Sequence, residues 1–105
     1  MDFITYQQQA MSCSVLRTDE ERVQYGVFNT ASEAGEIAGK YAKALRDQTE
    51  VDTLGVMKEM GDVLWSLAAL AEGLGVTLED VAVMNVGKIQ SRKERGVIAG
   101  SGDDR

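Results

Sequence analysis

Histidine is absent from this chain. That excludes a Ser-His-Asp triad, a Cys-His pair, an imidazole zinc site and a Glu-x-x-His di-iron centre. The single cysteine, Cys13, can form neither an intramolecular disulfide nor a thiolate zinc site. It reads as a small apolar residue in a reducing, cytoplasmic setting. Proline is absent as well, which removes the usual helix breaker. Aromatics make up only 6% of the chain, so a core must rest on Ala, Val, Leu, Ile and Met. No apolar run approaches a membrane span. The start, Met1 to Thr5, lacks the basic and apolar regions of a signal peptide. Basic residues are the minority, 11 against 17 acidic, for a net charge of −6. That balance opposes nucleic acid or an anionic membrane as a partner.

What remains is an ordinary globular composition, 44% apolar and 27% charged over 105 residues. One domain is expected over residues 1–96, followed by a flexible glycine-rich tail at 97–105. A chain this short buries a modest share of its surface, so self-association is expected. Four helices emerge from the apolar spacing, and no alternating strand does. The first spans about Phe3 to Val15, with Asp2 as N-cap. A charged connection follows from Arg17 to Arg22. The second helix spans about Gly26 to Arg46, its buried face being Val27, Ala31, Ala34, Ala38, Tyr41 and Leu45. The third spans Thr53 to Leu74, with a seam of Val56, Met60, Val63, Leu67, Leu70 and Leu74. Gly73 and Gly75 are expected to end it. The fourth starts after Thr77, a capping residue, and reaches about Arg95 with Leu78, Ala82, Val86 and Ile89 inward. The fold class is all-α, an antiparallel helical bundle.

Two acidic pairs stand out, Glu33/Glu36 and Glu59/Asp62, each spaced i,i+3. Spacing alone does not single them out, since 17 acids give roughly three such pairs by chance. A third pair, Asp47/Glu50, lies in a polar connection. The first two lie within the helices that carry the strongest apolar faces. At about 100° per residue, Glu59 and Asp62 border the third helix's seam, beside Gly55, Ser66, Ala69 and Gly73. Glu33 and Glu36 take the matching border of the second helix, in a stripe with Asn29 and Lys40. Antiparallel packing would bring four carboxylates together, with small neighbours leaving room for a ligand. Such a cluster repels itself and calls for a cation. Oxygen ligands without His or thiolate point to Mg²⁺, with Mn²⁺ as a substitute, and hence to phosphate chemistry. The bland alternative is that these acids are solvated and pair locally, as Glu36 would with Lys40.

The fourth helix offers a complement. Asn85, Lys88, Arg92 and Arg95 share one stripe at spacings of 3, 4 and 3. Facing the acids, it would hold outer phosphates. Otherwise it serves the helix's negative C-terminal end. Trp65 lies about 60° from Asp62 on the wheel, placed for packing or for stacking on a base. Tyr41 follows the apolar period into the core, and Tyr6 and Gln7 are candidates to line a pocket.

Glu33-Ala34-Gly35-Glu36, then 22 residues, then Glu59-Met60-Gly61-Asp62 resembles the Glu-x-x-Glu…Glu-x-x-Asp pattern of MazG-like nucleotide pyrophosphohydrolases. Gly61 to Trp65 and Asn85-x-x-Lys88-x-x-x-Arg92 fit it too. The ending Gly100-Ser101-Gly102-Asp103-Asp104-Arg105 is similar to the tails of small stand-alone, phage-type members. The resemblance implies a helical bundle assembled as a homodimer or a dimer of dimers. It implies Mg²⁺-dependent hydrolysis of a nucleoside triphosphate, commonly a deoxynucleotide, to the monophosphate and pyrophosphate. Carried over by position, Glu33, Glu36, Glu59 and Asp62 become metal ligands. Lys88 and Arg92 become phosphate contacts, and Asn85 a phosphate or sugar contact. Glu36 is then placed to take the proton of the attacking water, and Glu59 joins it in catalysis. Trp65 and Arg105 complete the expected substrate contacts. The alternatives are a phosphoribosyl-ATP pyrophosphohydrolase of the same superfamily and a non-catalytic helical adaptor.

Overall fold

The computed structural model describes all 105 residues, and its order is α1 (Phe3–Ser12), α2 (Asp19–Asp47), α3 (Thr53–Leu74) and α4 (Leu78–Glu94), with no strand. No helix is long and apolar enough to cross a membrane. Helix α1 stops three residues short of the expected Val15, and Asp2 caps it by accepting from Thr5 N–H. Helix α2 begins at Asp19, seven residues before the expected start, so most of the charged connection is helical. Its signal was present: Thr18 accepts from Glu21 N–H, and Asp19, Glu20 and Glu21 load the positive end. Helix α4 carries a full capping box between Thr77 and Asp80.

Helices α2 and α3 form a long antiparallel hairpin, and the register is set by small residues. A Cβ on Gly26 would lie 2.8 Å from Leu70 N and Ser66 O, and one on Gly73 would lie 2.7 Å from Asp19 O. The two backbones therefore touch at both crossings. Gly73 does not end α3; it lets α2 in, and Gly75 ends the helix at φ 73°. Ser66 and Ala69 are fully buried in the same seam. The small stripe expected to leave room for a ligand instead closes the helix pair.

The consequence for α2 is a reversal of faces. Val27, Ala31, Ala34, Ala38, Tyr41 and Leu45, expected inside, are all exposed, Leu45 at 82%. The face turned to α3 carries Gly26, Asn29, Thr30, Glu33, Ile37, Lys40 and Ala44. On α3, Met60, Leu67 and Leu74 of the expected seam are exposed too. Helix α1 packs on α3, where Ala10, Ala68, Ala71 and Leu78 form a core flanked by Tyr6, Met11, Leu64 and Trp65. Gln7 is buried and ties α1 to the α3–α4 turn. Its amide donates to Glu72 at 2.8 Å and to Val76 O at 3.1 Å, and it accepts from Leu78 N–H at 2.7 Å. It is a staple and not a pocket residue of the acidic site. Helix α4 touches α1 and α3 near its start and makes no contact with α2. Val86 and Ile89, expected inward, are exposed. The Cα radius of gyration is 16.5 Å, against about 13 Å for a compact chain of this length.

Candidate functional site

Because the α2–α3 hairpin is antiparallel, residues near 33 on α2 meet residues near 60 on α3. One carboxylate oxygen each of Glu33, Glu59 and Asp62 lie within 4.8 Å of one another. The fourth expected carboxylate, Glu36, is exposed and stands outside this group. Lys40 Nζ approaches Glu59 at 3.8 Å, so Glu59 is partly compensated while Glu33 is not.

Asn29 lies one turn before Glu33 and donates to Ser66 Oγ at 2.8 Å. Ser66 in turn donates to Asp62 O at 2.8 Å, which fixes the α3 turn carrying Asp62. A cavity of about 360 Å³ opens over the acids, lined by Tyr25, Asn29, Glu33, Asp62 and Trp65. Trp65 donates its indole N–H to Ala10 O at 3.2 Å and meets the Tyr25 ring edge-on, with centroids 5.9 Å apart. It is thus anchored by α1 and faces the acids with one wall. Tyr25 and Asn29 were missed as site residues. Their signal was the i,i+4 step back from Glu33 through Asn29 to Tyr25.

Partial burial is the first cause that raises the Glu33 pKa above its ordinary value. A hydrogen bond to Glu59, which needs the proton, and the charges of Asp62, Glu59 and Glu36 raise it further. Burial, with the charge of Asp62 behind it, also raises the Tyr6 hydroxyl. This is the signature of a carboxylate seat short of positive charge. A hard divalent cation fits it, since all donors are oxygen and two helices hold them.

A stability effect follows from that shift. A raised carboxyl leaves the fold unaffected below 4.5, where folded and unfolded chains are both protonated. Above that value the unfolded chain ionises first, and the folded state is penalised as pH rises. The lowered acids Asp2, Asp47 and Asp103 titrate below 3.8 and do not oppose this window. Glu33→Gln is therefore expected to melt above the wild type at pH 7 in EDTA, with the gap closing near pH 4. Equal melting at both pH values would contradict the repulsion described.

The basic residues of α4 and the C-terminal segment are elsewhere. Asn85 and Lys88 line a separate cavity of about 310 Å³ with Val81 and Met84. Within one chain the α4 stripe does not face the acids, contrary to the expectation, because α4 leaves the hairpin rather than returning along it. Arg92 is buried under the C-terminal residues, where its Nη2 donates to Asp103 O at 2.7 Å. Arg105 turns back on its own segment, donating to Val97 O, Ile98 O and Gly102 O. The largest cavity, about 410 Å³, lies between α1 and the α3–α4 turn. Its one carboxylate, Glu72, is bonded to Gln7, so it has no comparable chemistry.

The sequence profile described as the MazG nucleotide pyrophosphohydrolase domain matches residues 26–97. The chain is 47% identical over 89 residues to the Gene 37 protein of Mycobacterium phage L5. That alignment covers 81% of this chain and 78% of the phage protein. No solved structure matches it.

Proposed function

The chain belongs to the MazG nucleotide pyrophosphohydrolase family, and we propose on that footing that it hydrolyses a nucleoside triphosphate of the deoxy class to monophosphate and pyrophosphate. The observation that carries this reading is the convergence of Glu33, Glu59 and Asp62 from two helices to within 4.8 Å. These three residues would hold Mg²⁺, or Mn²⁺ in its place. An ion held there would neutralise charge at the phosphates and lower the pKa of water. The chain's own groups do the rest. Glu36, exposed beside the seat, accepts the proton of the attacking water. Tyr25 and Trp65 wall the cavity on the side where a base would lie. The Asn29–Ser66 pair ends on the Asp62 backbone carbonyl and so steadies the α3 turn that carries this acid.

The phosphate contacts come from a second copy in this reading. Asn85 and Lys88 line their own cavity, and α4 does not reach α2 within the chain. The outward apolar face of α2, with Val27, Tyr41 and Leu45, supports a homodimer or a dimer of dimers that covers it. The decisive experiment is a panel of common NTPs and dNTPs with Mg²⁺, scored for monophosphate and pyrophosphate. Metal-dependent pyrophosphate release from at least one is expected. Release from none, by a folded chain with Mg²⁺ or Mn²⁺, would return the protein to the adaptor reading.

A further inference from the structure

The last nine residues are fastened through backbone carbonyls to Arg92 of α4, to Arg95 just beyond it, and to their own Arg105. Arg92 donates to Gly102 O and Asp103 O, Arg95 to Arg105 O, and Arg105 to Val97 O, Ile98 O and Gly102 O. Gly100 and Gly102 take φ 128° and 88°, which lets the chain turn back. The Arg105 side chain then passes so close to Gly100 that a Cβ there would meet its Cδ at 3.2 Å. This is a built loop.

The Asp103 side chain is held differently. Its Oδ1 lies 3.3 Å from Lys88 Nζ and 3.5 Å from Arg92 Nη2, and the side chain is 85% exposed. No carbonyl anchor depends on that carboxylate. One anionic oxygen between an ammonium and a guanidinium is the arrangement a phosphate oxygen adopts. The Asp103–Lys88 contact is also open to water, where such contacts are weak and readily exchanged. The cavity lined by Asn85 and Lys88 adjoins it, with room for the rest of a larger anion. The Arg92 side chain is nine-tenths buried, so its charge is held in place beside Asp103.

With Lys88 and Arg92 taken as the phosphate seat of the hydrolase reading, we propose that Asp103 is its built-in occupant, which an incoming phosphate chain must displace. The loop stays in place through its arginine–carbonyl bonds, and only the carboxylate swings away. Asp103 thereby sets how tightly the seat takes phosphate. This deepens the hydrolase reading, on which the identity of the phosphate compound rests. Its own test does not depend on hydrolysis.

The test is calorimetric titration of the full chain with sodium pyrophosphate in EDTA, which keeps divalent ions off the acidic site. Asp103→Asn is expected to bind pyrophosphate roughly 3- to 10-fold more tightly than the wild type, since a competing charge is gone. Lys88→Met is expected to weaken binding by a similar factor. Asp104→Asn removes the same charge from a residue that touches neither cation, and is expected to gain less than half as much. Asp103→Ser serves as a second variant, should the amide rebond to Lys88. The proposal is overturned if neither Asp103 variant binds more tightly than the wild type, as it would be if Asp103 positioned Lys88. It is also overturned if Asp104→Asn gives an equal gain, which would make the effect one of net charge. Pyrophosphate binding with this pattern, in a chain that cleaves no triphosphate, would leave the seat standing and remove the hydrolase reading.

Discussion

Glu59→Gln is expected to lower metal-dependent pyrophosphate release about 100-fold or more, without loss of fold. Glu59 is the α3 acid that α2 touches twice, through Glu33 and through Lys40 at 3.8 Å. The amide keeps the size of the side chain but removes the charge and one anionic donor. Mg²⁺ demands near-ideal geometry and dehydrates reluctantly, so a seat reduced to Glu33 and Asp62 should hold it poorly. The fold has the opposite interest. Removing one of three mutually repelling carboxylates relieves the metal-free chain. Activity and thermal stability should therefore move in opposite directions, which a merely structural Glu59 would not produce. Glu36→Gln gives the contrast. It stands outside the cluster, so it should spare metal binding and lower kcat, by about 10² to 10⁴ for a lost general base. Wild-type turnover in Glu59→Gln, on every triphosphate that the wild type cleaves, would refute the site.

The second large effect is on folding. Gly26→Val should destabilise the chain by about 3 kcal/mol or more, and Gly73→Ala by about 1–3 kcal/mol. The Gly26 Cβ would sit 2.8 Å from Leu70 N and Ser66 O, and the Gly73 Cβ 2.7 Å from Asp19 O and 2.9 Å from Val23 N. These neighbours are backbone, so no rotamer change makes room. Alanine's better helix propensity, about 1 kcal/mol over glycine, offsets only part of the strain. A loss of 2 kcal/mol would lower the melting temperature by roughly 8–16 °C in a domain of this size. The site should suffer as well, because Gly26 sets the register that pairs Glu33 with Glu59. Melting of Gly73→Ala at or above the wild-type temperature would show that the two helices can part there at little cost.

Much of this was legible in the sequence. Helix α3 runs from Thr53 to Leu74, the span its periodicity gives, and Thr77 caps α4 as its neighbours suggest. The acids Glu33, Glu59 and Asp62 do converge. The orientation of α2 was not legible, for a physical reason. Apolar period reports which face avoids water but not what covers it. Val27, Tyr41 and Leu45 form the more apolar face, yet Gly26 and Ala44 on the other face allow a closer approach to α3. Close packing of small residues decided the pairing within the chain. The start of α2 was missed because charge was read as linker, although Thr18 and Glu21 are a capping pair. The fate of Arg92 and Arg105 lay beyond reach. Their partners are backbone carbonyls of the tail, and a carbonyl has no letter in the sequence.

The reversed α2 helix changes what tolerance to substitution means in this protein. Leu45 is 82% exposed in one copy, and Ala69 is fully buried. In the proposed assembly both would be interior, Ala69 by folding and Leu45 by association. Folding and association would then merge into one reaction whose equilibrium moves with the amount of chain present. Dilution would strip the outer layer from a hairpin whose closest inner contacts are Gly26, Ala44, Ser66, Ala69 and Gly73.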